Sequence, residues 1–188
     1  MKLHLGCGKS KLPGFVGVDI TPLNGVDVVC DLERIPWPFF TSSVDECVLF
    51  HILEHLRNTV QVMEEIWRIC RPGAIVRVIV PYYNSPGAFQ DPTHVQFFTE
   101  RTFDYFTQDN ATELSVYNYY SKARFDIVGI ELQGRRAVKR LPWRLQLFLA
   151  HHLATCHSLD VRLRARKQEN ALKTSLSPPD GASSIRMR

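Results

Sequence analysis

The 188-residue sequence contains no Cys-x-x-Cys pair. Its five cysteines, Cys7, Cys30, Cys47, Cys70 and Cys156, form an odd set, which argues against a disulfide framework or a zinc ribbon and for reduced, mostly buried thiols. Long apolar runs are missing too: "AIVRVIVPYY" and "LQLFLAHHLA" are too short or too interrupted to span a bilayer, and the N-terminus has no signal-peptide pattern. These absences predict a cytoplasmic protein. There is no internal repeat. The first 134 residues lack a basic excess, with 11 Lys and Arg against 16 Asp and Glu, whereas residues 135–188 carry 12 against 3. Because the positive charge is confined to the tail and no recognisable binding module accompanies it, nucleic acid is not an expected partner.

What is present fits one globular domain with a sizeable core, since 45% of the side chains are hydrophobic and 22% charged. Short runs rich in Val, Ile and Phe at 3–5, 15–18, 26–30, 46–50, 75–80 and 125–132 have the composition of buried parallel strands. Between the fourth and fifth, "HILEHLRNTVQVMEEIWRICRPG" repeats Leu53, Leu56, Val60, Met63, Trp67 and Cys70 every three or four residues and stops at Pro72-Gly73, as a helix does. A second helix is expected over "ERTFDYF" after Thr99. A third, over about 142–156, carries a stripe of Leu145, Phe148, Leu149, Leu153 and Cys156 expected to pack inward. The alternation predicts an α/β fold: a Rossmann-like, open and mostly parallel sheet of about six or seven strands flanked by helices. The domain is expected to span 1–157 with an insertion at 81–108, followed by a basic, turn-rich tail over 158–188.

The first crossover is the unusual feature. "LHLGCGKSKLPGFVGVDI" leaves nine residues, Gly6 to Gly14, between two strands, where a parallel crossover normally takes about a dozen or more and carries a helix. Gly6, Gly8, Asp19 and Asp31 fall at strand carboxyl ends, where open α/β sheets bind ligands, and Asp19 suits two ribose hydroxyls. A dinucleotide fits poorly, since its fingerprint needs three glycines and a helix N-terminus for the pyrophosphate. S-adenosylmethionine has ribose and adenine but no phosphate, and loses nothing by the shortened crossover.

The blocks "LHLGCG", "VDI", "DVVCDLERIPWP", "SVDECVLFHILEHL", "EEIWRICRPGAIVRVIVP" and "DPTHVQFFTERTFDYF" together resemble the small class I S-adenosylmethionine-dependent methyltransferases of the type 11 kind, in order, over residues 3 to about 132. The resemblance implies that Gly6, Cys7 and Gly8 form the loop under the methionyl part and ribose. It implies that Asp19 and Ile20 flank ribose and adenine, that Asp31 and Leu32 meet the adenine edge, and that Phe50 and His51 close the pocket. Two features depart from the family. His4 stands where an acid usually helps hold the cofactor's amino group, and the sequence begins almost at strand one, so the covering helix is not expected.

Methyl transfer needs chiefly alignment and exclusion of water, with a base only where the acceptor must lose a proton. The candidates lie in "PYYNSPGAFQDPTHVQFFTE": His94 as base, Asp91 to orient it, and Tyr82, Tyr83, Phe97 and Phe98 as walls for a small-molecule or saccharide-like acceptor. "HILEH" at 51–55 also matches H-x-x-E-H, in which two histidines one helical turn apart bind zinc. It follows a strand directly and has no marked third ligand, so no metal is assigned and a zinc peptidase ranks below methyl transfer. A non-catalytic cofactor-binding partner subunit is the alternative that His4 favours. The basic tail and apolar helix suggest two further partners, an anionic membrane surface or a second copy in a homodimer.

Overall fold

The six expected runs and one further segment form seven strands among the described residues: β1 (Lys2–Leu5), β2 (Val16–Asp19), β3 (Val28–Val29), β4 (Val44–Phe50), β5 (Cys70–Pro81), β6 (Phe125–Gly134) and, unexpectedly, β7 (Cys156–Ala165). In the computed structural model, which describes residues 1–107, 114–134 and 136–167, they make one sheet in the order β3-β2-β1-β4-β5-β7-β6. The first five run parallel, and β7 lies antiparallel between β5 and β6. Register aligns Leu3, Cys47, Val76 and Leu163 in one row and Leu5, Leu49, Val78 and Val161 in the next. All eight are fully buried, because alternate residues of a strand share a face. Val62, Met63, Ile66 and Ile69 of helix α1 (Thr59–Ile69) belong to the same core.

The opposite face is only partly covered. Here Arg77 forms a two-pronged ion pair with the buried Asp160 of β7, with Nη2 2.6 Å and Nε 3.1 Å from the carboxylate, and its guanidinium lies 5.4 Å from the Phe50 ring centre. The pair ties the antiparallel half of the sheet to the parallel half, with Gln133 of β6 adding a hydrogen bond to Asp160.

The first crossover does run from Gly6 to Phe15 without a helix. It is held instead by side chains. Lys11 pairs with Asp27 at 2.9 Å, Asp27 accepts the Gly17 amide at 2.7 Å, and the Leu12 amide donates to Nδ1 of His4 at 3.3 Å. His4 is buried and its ring meets Phe50 edge to face, so the residue in the family's acidic position serves as an acceptor for the shortened loop.

Several expectations are corrected. The long helix after β4 is divided: Leu53–His55 make one tight turn, Leu56 is extended, and α1 starts at Thr59 with Asn58 accepting the Gln61 amide as N-cap. Pro72-Gly73 does not stop it. The helix ends at Ile69 and β5 begins at once, with a register shift against β4 absorbing the proline and Gly73 at φ +79°. The helix expected over "ERTFDYF" is a 3₁₀ helix of five residues, Thr102–Phe106.

The tail boundary at 157 also moves, because residues 158–165 are an inner strand. Leu159, Val161, Leu163 and Ala165 alternate as a strand should, and the arginines between them disguise it. Lys167 too is structural, donating to Ser42 and to the Arg68 carbonyl. The stretch "SLSPPDGASSIRMR" lies outside the described residues. The insertion carries the short helix α2 (Pro86–Gln90). Helix α3 (Trp143–Leu153) packs through Ala150 and Leu147, and leaves Leu145, Phe148 and Leu153 exposed rather than buried. Among the described residues no helix is long and apolar enough to cross a membrane.

Burial lowers the pKa of His4 below its ordinary 6.5. The unfolded chain therefore binds that proton first, and stability is lost as pH falls through 6.5 toward the folded value. His4→Asn keeps an acceptor for Leu12 and removes the titration. Thermal melts between pH 8 and 5 are expected to show a smaller acid loss in the variant than in the parent protein, and parallel curves would disprove this role.

Candidate active site

The carboxyl ends of β1, β2, β4 and β5 converge on one edge. After β1 the backbone turns through Gly6 at φ +63° and Gly8 at φ +50°, the left-handed region that glycine enters without a Cβ penalty. A side chain at Gly6 would meet Ile52 at 2.3 Å, whereas the space a Cβ would take at Gly8 is open for 4 Å. The Gly8 amide donates to Oδ2 of Asp19 at 2.8 Å, and the Thr21 amide to Oδ1 at 3.0 Å. A carboxylate has about four acceptor positions, so Asp19 keeps capacity for two hydroxyls. Ile20 beside it is 61% exposed.

Other expected cofactor residues are differently employed. The Cys7 thiol is buried, is pushed up in pKa chiefly by that burial, and faces the Gly8 carbonyl. Cys7 therefore offers the edge its backbone alone. Asp31 accepts the Glu33 amide and pairs with Arg34 at 3.2 Å. The Leu32 side chain is buried in the core. Phe50 is engaged by His4 and Arg77 on the open sheet face, but His51 reaches the edge. Its φ of +53°, uncommon for a residue other than glycine, turns the chain out of β4.

Beside this cradle lies a cavity of about 600 Å³, into which His51, Glu54, His55, Asp91, His94 and His157 are brought together. The insertion is fastened over it. The Glu54 carbonyl accepts the amides of Val95 at 2.9 Å and Gln96 at 3.1 Å, and Gln96 Nε2 donates to the Arg57 carbonyl at 2.8 Å. His94 is thereby set beside Glu54, with Nε2 4.0 Å from Oε1, while its Nδ1 donates to the Ala88 carbonyl at 3.1 Å. Asp91 does not orient His94, as expected, but His55. The Thr93 hydroxyl donates to Asp91 at 2.6 Å and so accepts from His55 Nδ1 at 2.8 Å. These two Thr93 hydrogen bonds, from hydroxyl and amide, also hold the Asp91 carboxyl below its usual pKa.

The expected acceptor walls are corrected as well. Tyr82 and Phe98 are core residues, Phe97 stacks on Phe89 at 4.9 Å, and Tyr83 bonds to His151 at 3.0 Å. Tyr82 donates to Glu100 at 2.8 Å, and burial followed by this contact raises its pKa strongly. Sequence reasoning passed over Glu54 as a cavity residue. Its signal was present in H-x-x-E-H, but read on a helical face that the left-handed His51 abolishes.

Residues 3–78 match the family described as "Methyltransferase domain". No curated protein matches the chain. Among solved structures, the complex between the Haloferax volcanii Trm112 methyltransferase activator and a methyltransferase is 14% identical, with 90% of this chain and 83% of that one covered and a TM-score of 0.58. An S-adenosylmethionine-dependent methyltransferase from Archaeoglobus fulgidus is 16% identical over 87% and 85%, with a TM-score of 0.58. One from Mesorhizobium loti is 17% identical over 87% and 89%, at 0.51. The strand order and the glycine cradle give the chain the fold of these structures, and its first part, residues 3–78, is similar to the family described as a methyltransferase domain.

Proposed function

We propose that this protein transfers the methyl group of S-adenosylmethionine to a small-molecule or saccharide-like acceptor held in the histidine-lined cavity. The observation that supports this most is adjacency: the Gly8–Asp19 cradle and the cavity occupy one sheet edge, and Ile52, next in sequence to the cavity-lining His51, lies against Gly6. The residues fit the cofactor's chemistry. Gly8 leaves room for a close approach, Asp19 has free acceptor positions, and the crossover has no helix N-terminus that a phosphate would need. Bound there, the cofactor supplies a sulfonium-activated methyl group.

The side chains have the remaining tasks. Asp19 holds the ribose hydroxyls, Gly6 to Gly8 line the methionyl part, and Ile20 and Asp31 border the adenine. His94 is the base: its Nδ1 proton is committed to the Ala88 carbonyl, so the lone pair on Nε2 is free to take a proton from an acceptor hydroxyl. Nearly buried against Glu54, the resulting imidazolium has an anionic neighbour. A non-catalytic binding subunit is the second reading, favoured by His4, which is buried and supplies no negative charge near the cradle.

Asp19→Ala removes charge-assisted hydrogen bonds worth roughly 1.5–3 kcal/mol. Calorimetric titration is expected to show S-adenosylmethionine affinity at least about tenfold weaker; equal affinity would contradict the assignment. His94→Gln is expected to lower turnover about 10²- to 10⁴-fold in an acceptor screen with little change in cofactor affinity. Tight cofactor binding with no turnover on any acceptor would support the binding subunit instead.

A further inference from the structure

We propose that Glu54, His55 and His94 form a binding site for one divalent transition-metal ion, zinc or a first-row neighbour, at the wall of the cavity. One donor atom from each of the three lies within 4.8 Å of the others. His94 comes from the insertion, about forty residues beyond the other two, and it supplies the third ligand that H-x-x-E-H by itself lacks.

Three independent features suit a metal. First, the Glu54 side chain is 1% exposed, yet neither carboxylate oxygen has a hydrogen bond. His51 Nδ1 stands 3.3 Å from Oε1 but is not aligned to donate. A buried carboxylate without partners is costly, and a bound cation removes that cost. Second, both histidines are held in the same tautomer. Nδ1 of His94 donates to the Ala88 carbonyl, and Nδ1 of His55 donates to Thr93, whose own proton goes to Asp91. Each ring therefore keeps its Nε2 lone pair for coordination, with the outer nitrogen anchored as metal-binding histidines require. Third, the donor set of two imidazoles and one carboxylate selects zinc, iron, cobalt or manganese over calcium or magnesium, and leaves coordination positions open toward the cavity.

Bonds of about 2.0–2.2 Å in a tetrahedral site put donor atoms roughly 3.3–3.5 Å apart. The 4.0 Å between His94 and Glu54, and the 4.8 Å within which all three donor atoms lie, would have to close to this on binding. His51 is not required, since its side chain is half exposed and its backbone leaves the helical face. The site differs from a zinc-peptidase helix in that its histidines come from two separate segments. Resting on the proposed function, such an ion would hold an acceptor oxygen, preferably a hydroxyl of a saccharide-like molecule, beside the methyl donor and ease loss of its proton; with metal bound His94 is a ligand, and its Nε2 lone pair acts as base only in the metal-free protein. Metal binding itself needs neither cofactor nor acceptor, and can be tested without them.

The full-length, tag-free protein is stripped with chelator and titrated with Co²⁺ alone. One equivalent is expected to bind, with the visible absorption of an ordered low-coordinate site, to be displaced by Zn²⁺, and to raise the melting temperature. His55→Ala, His94→Ala and Glu54→Gln are each expected to weaken binding at least tenfold, with circular dichroism checking that each variant is folded. His152→Ala, on the far part of α3, should bind as the parent does. Thr93→Val, which leaves all three donors in place but frees the His55 ring, is expected to weaken binding less than removal of a donor. Absence of saturable binding, or binding unchanged in both histidine variants, would overturn the site while leaving methyl transfer unaffected as a reading.

Discussion

Asp19 accepts the Gly8 amide through one carboxylate oxygen and the Thr21 amide through the other, and this closes a parallel crossover too short to contain a helix. A parallel pair usually relies on its crossover helix to cover the sheet and fix the loop. Here the work is divided among individual contacts: His4 holds Leu12, Asp27 holds Gly17 and Lys11, and Gly6 lets the backbone pass beneath Ile52. The cofactor edge is consequently made of backbone amides and one acid, with no positive helix end. That chemistry agrees with a ligand carrying a ribose and an amino acid group but no phosphate.

A second junction sets the rest of the edge. The Glu54 carbonyl receives the Val95 and Gln96 amides, so the insertion after β5 folds back on the turn after β4 and places His94 against the Glu54 carboxylate. One residue thus positions a loop with its backbone and presents an unpartnered charge-bearing group with its side chain. Buried polar atoms in folded proteins nearly always find partners, and an exception facing a cavity is where function is to be sought.

The fold was legible because its strands are short, apolar and bounded by turn residues, and because Gly6, Gly8 and Asp19 mark strand ends by type and spacing. β7 was hidden because arginines alternate with its buried residues, and an alternating basic segment near the end of a chain resembles a solvated tail. α3 misled in the opposite way: its apolar stripe suggested burial, but only Ala150 and Leu147 reach the core and Leu145, Phe148 and Leu153 stay exposed. In the site, the neighbourhood of Glu54, His55 and His94 depends on pairing between residues far apart in sequence, and on a left-handed turn at His51 that its residue type does not announce. Asp91 was recognised as an orienting group, but the ring it orients, through Thr93, is His55.

The central claim is that the cofactor edge and the histidine cavity are contiguous parts of one site. Amide and histidine NMR spectra recorded during titration with S-adenosylhomocysteine, the demethylated product, test it most directly. The account predicts saturable shifts at Gly6 to Gly8, Asp19 and Ile20 together with His51, and little change in β6 or α3. Shifts absent from the glycine loop, or centred on the open face around Arg77 and Asp160, would contradict it.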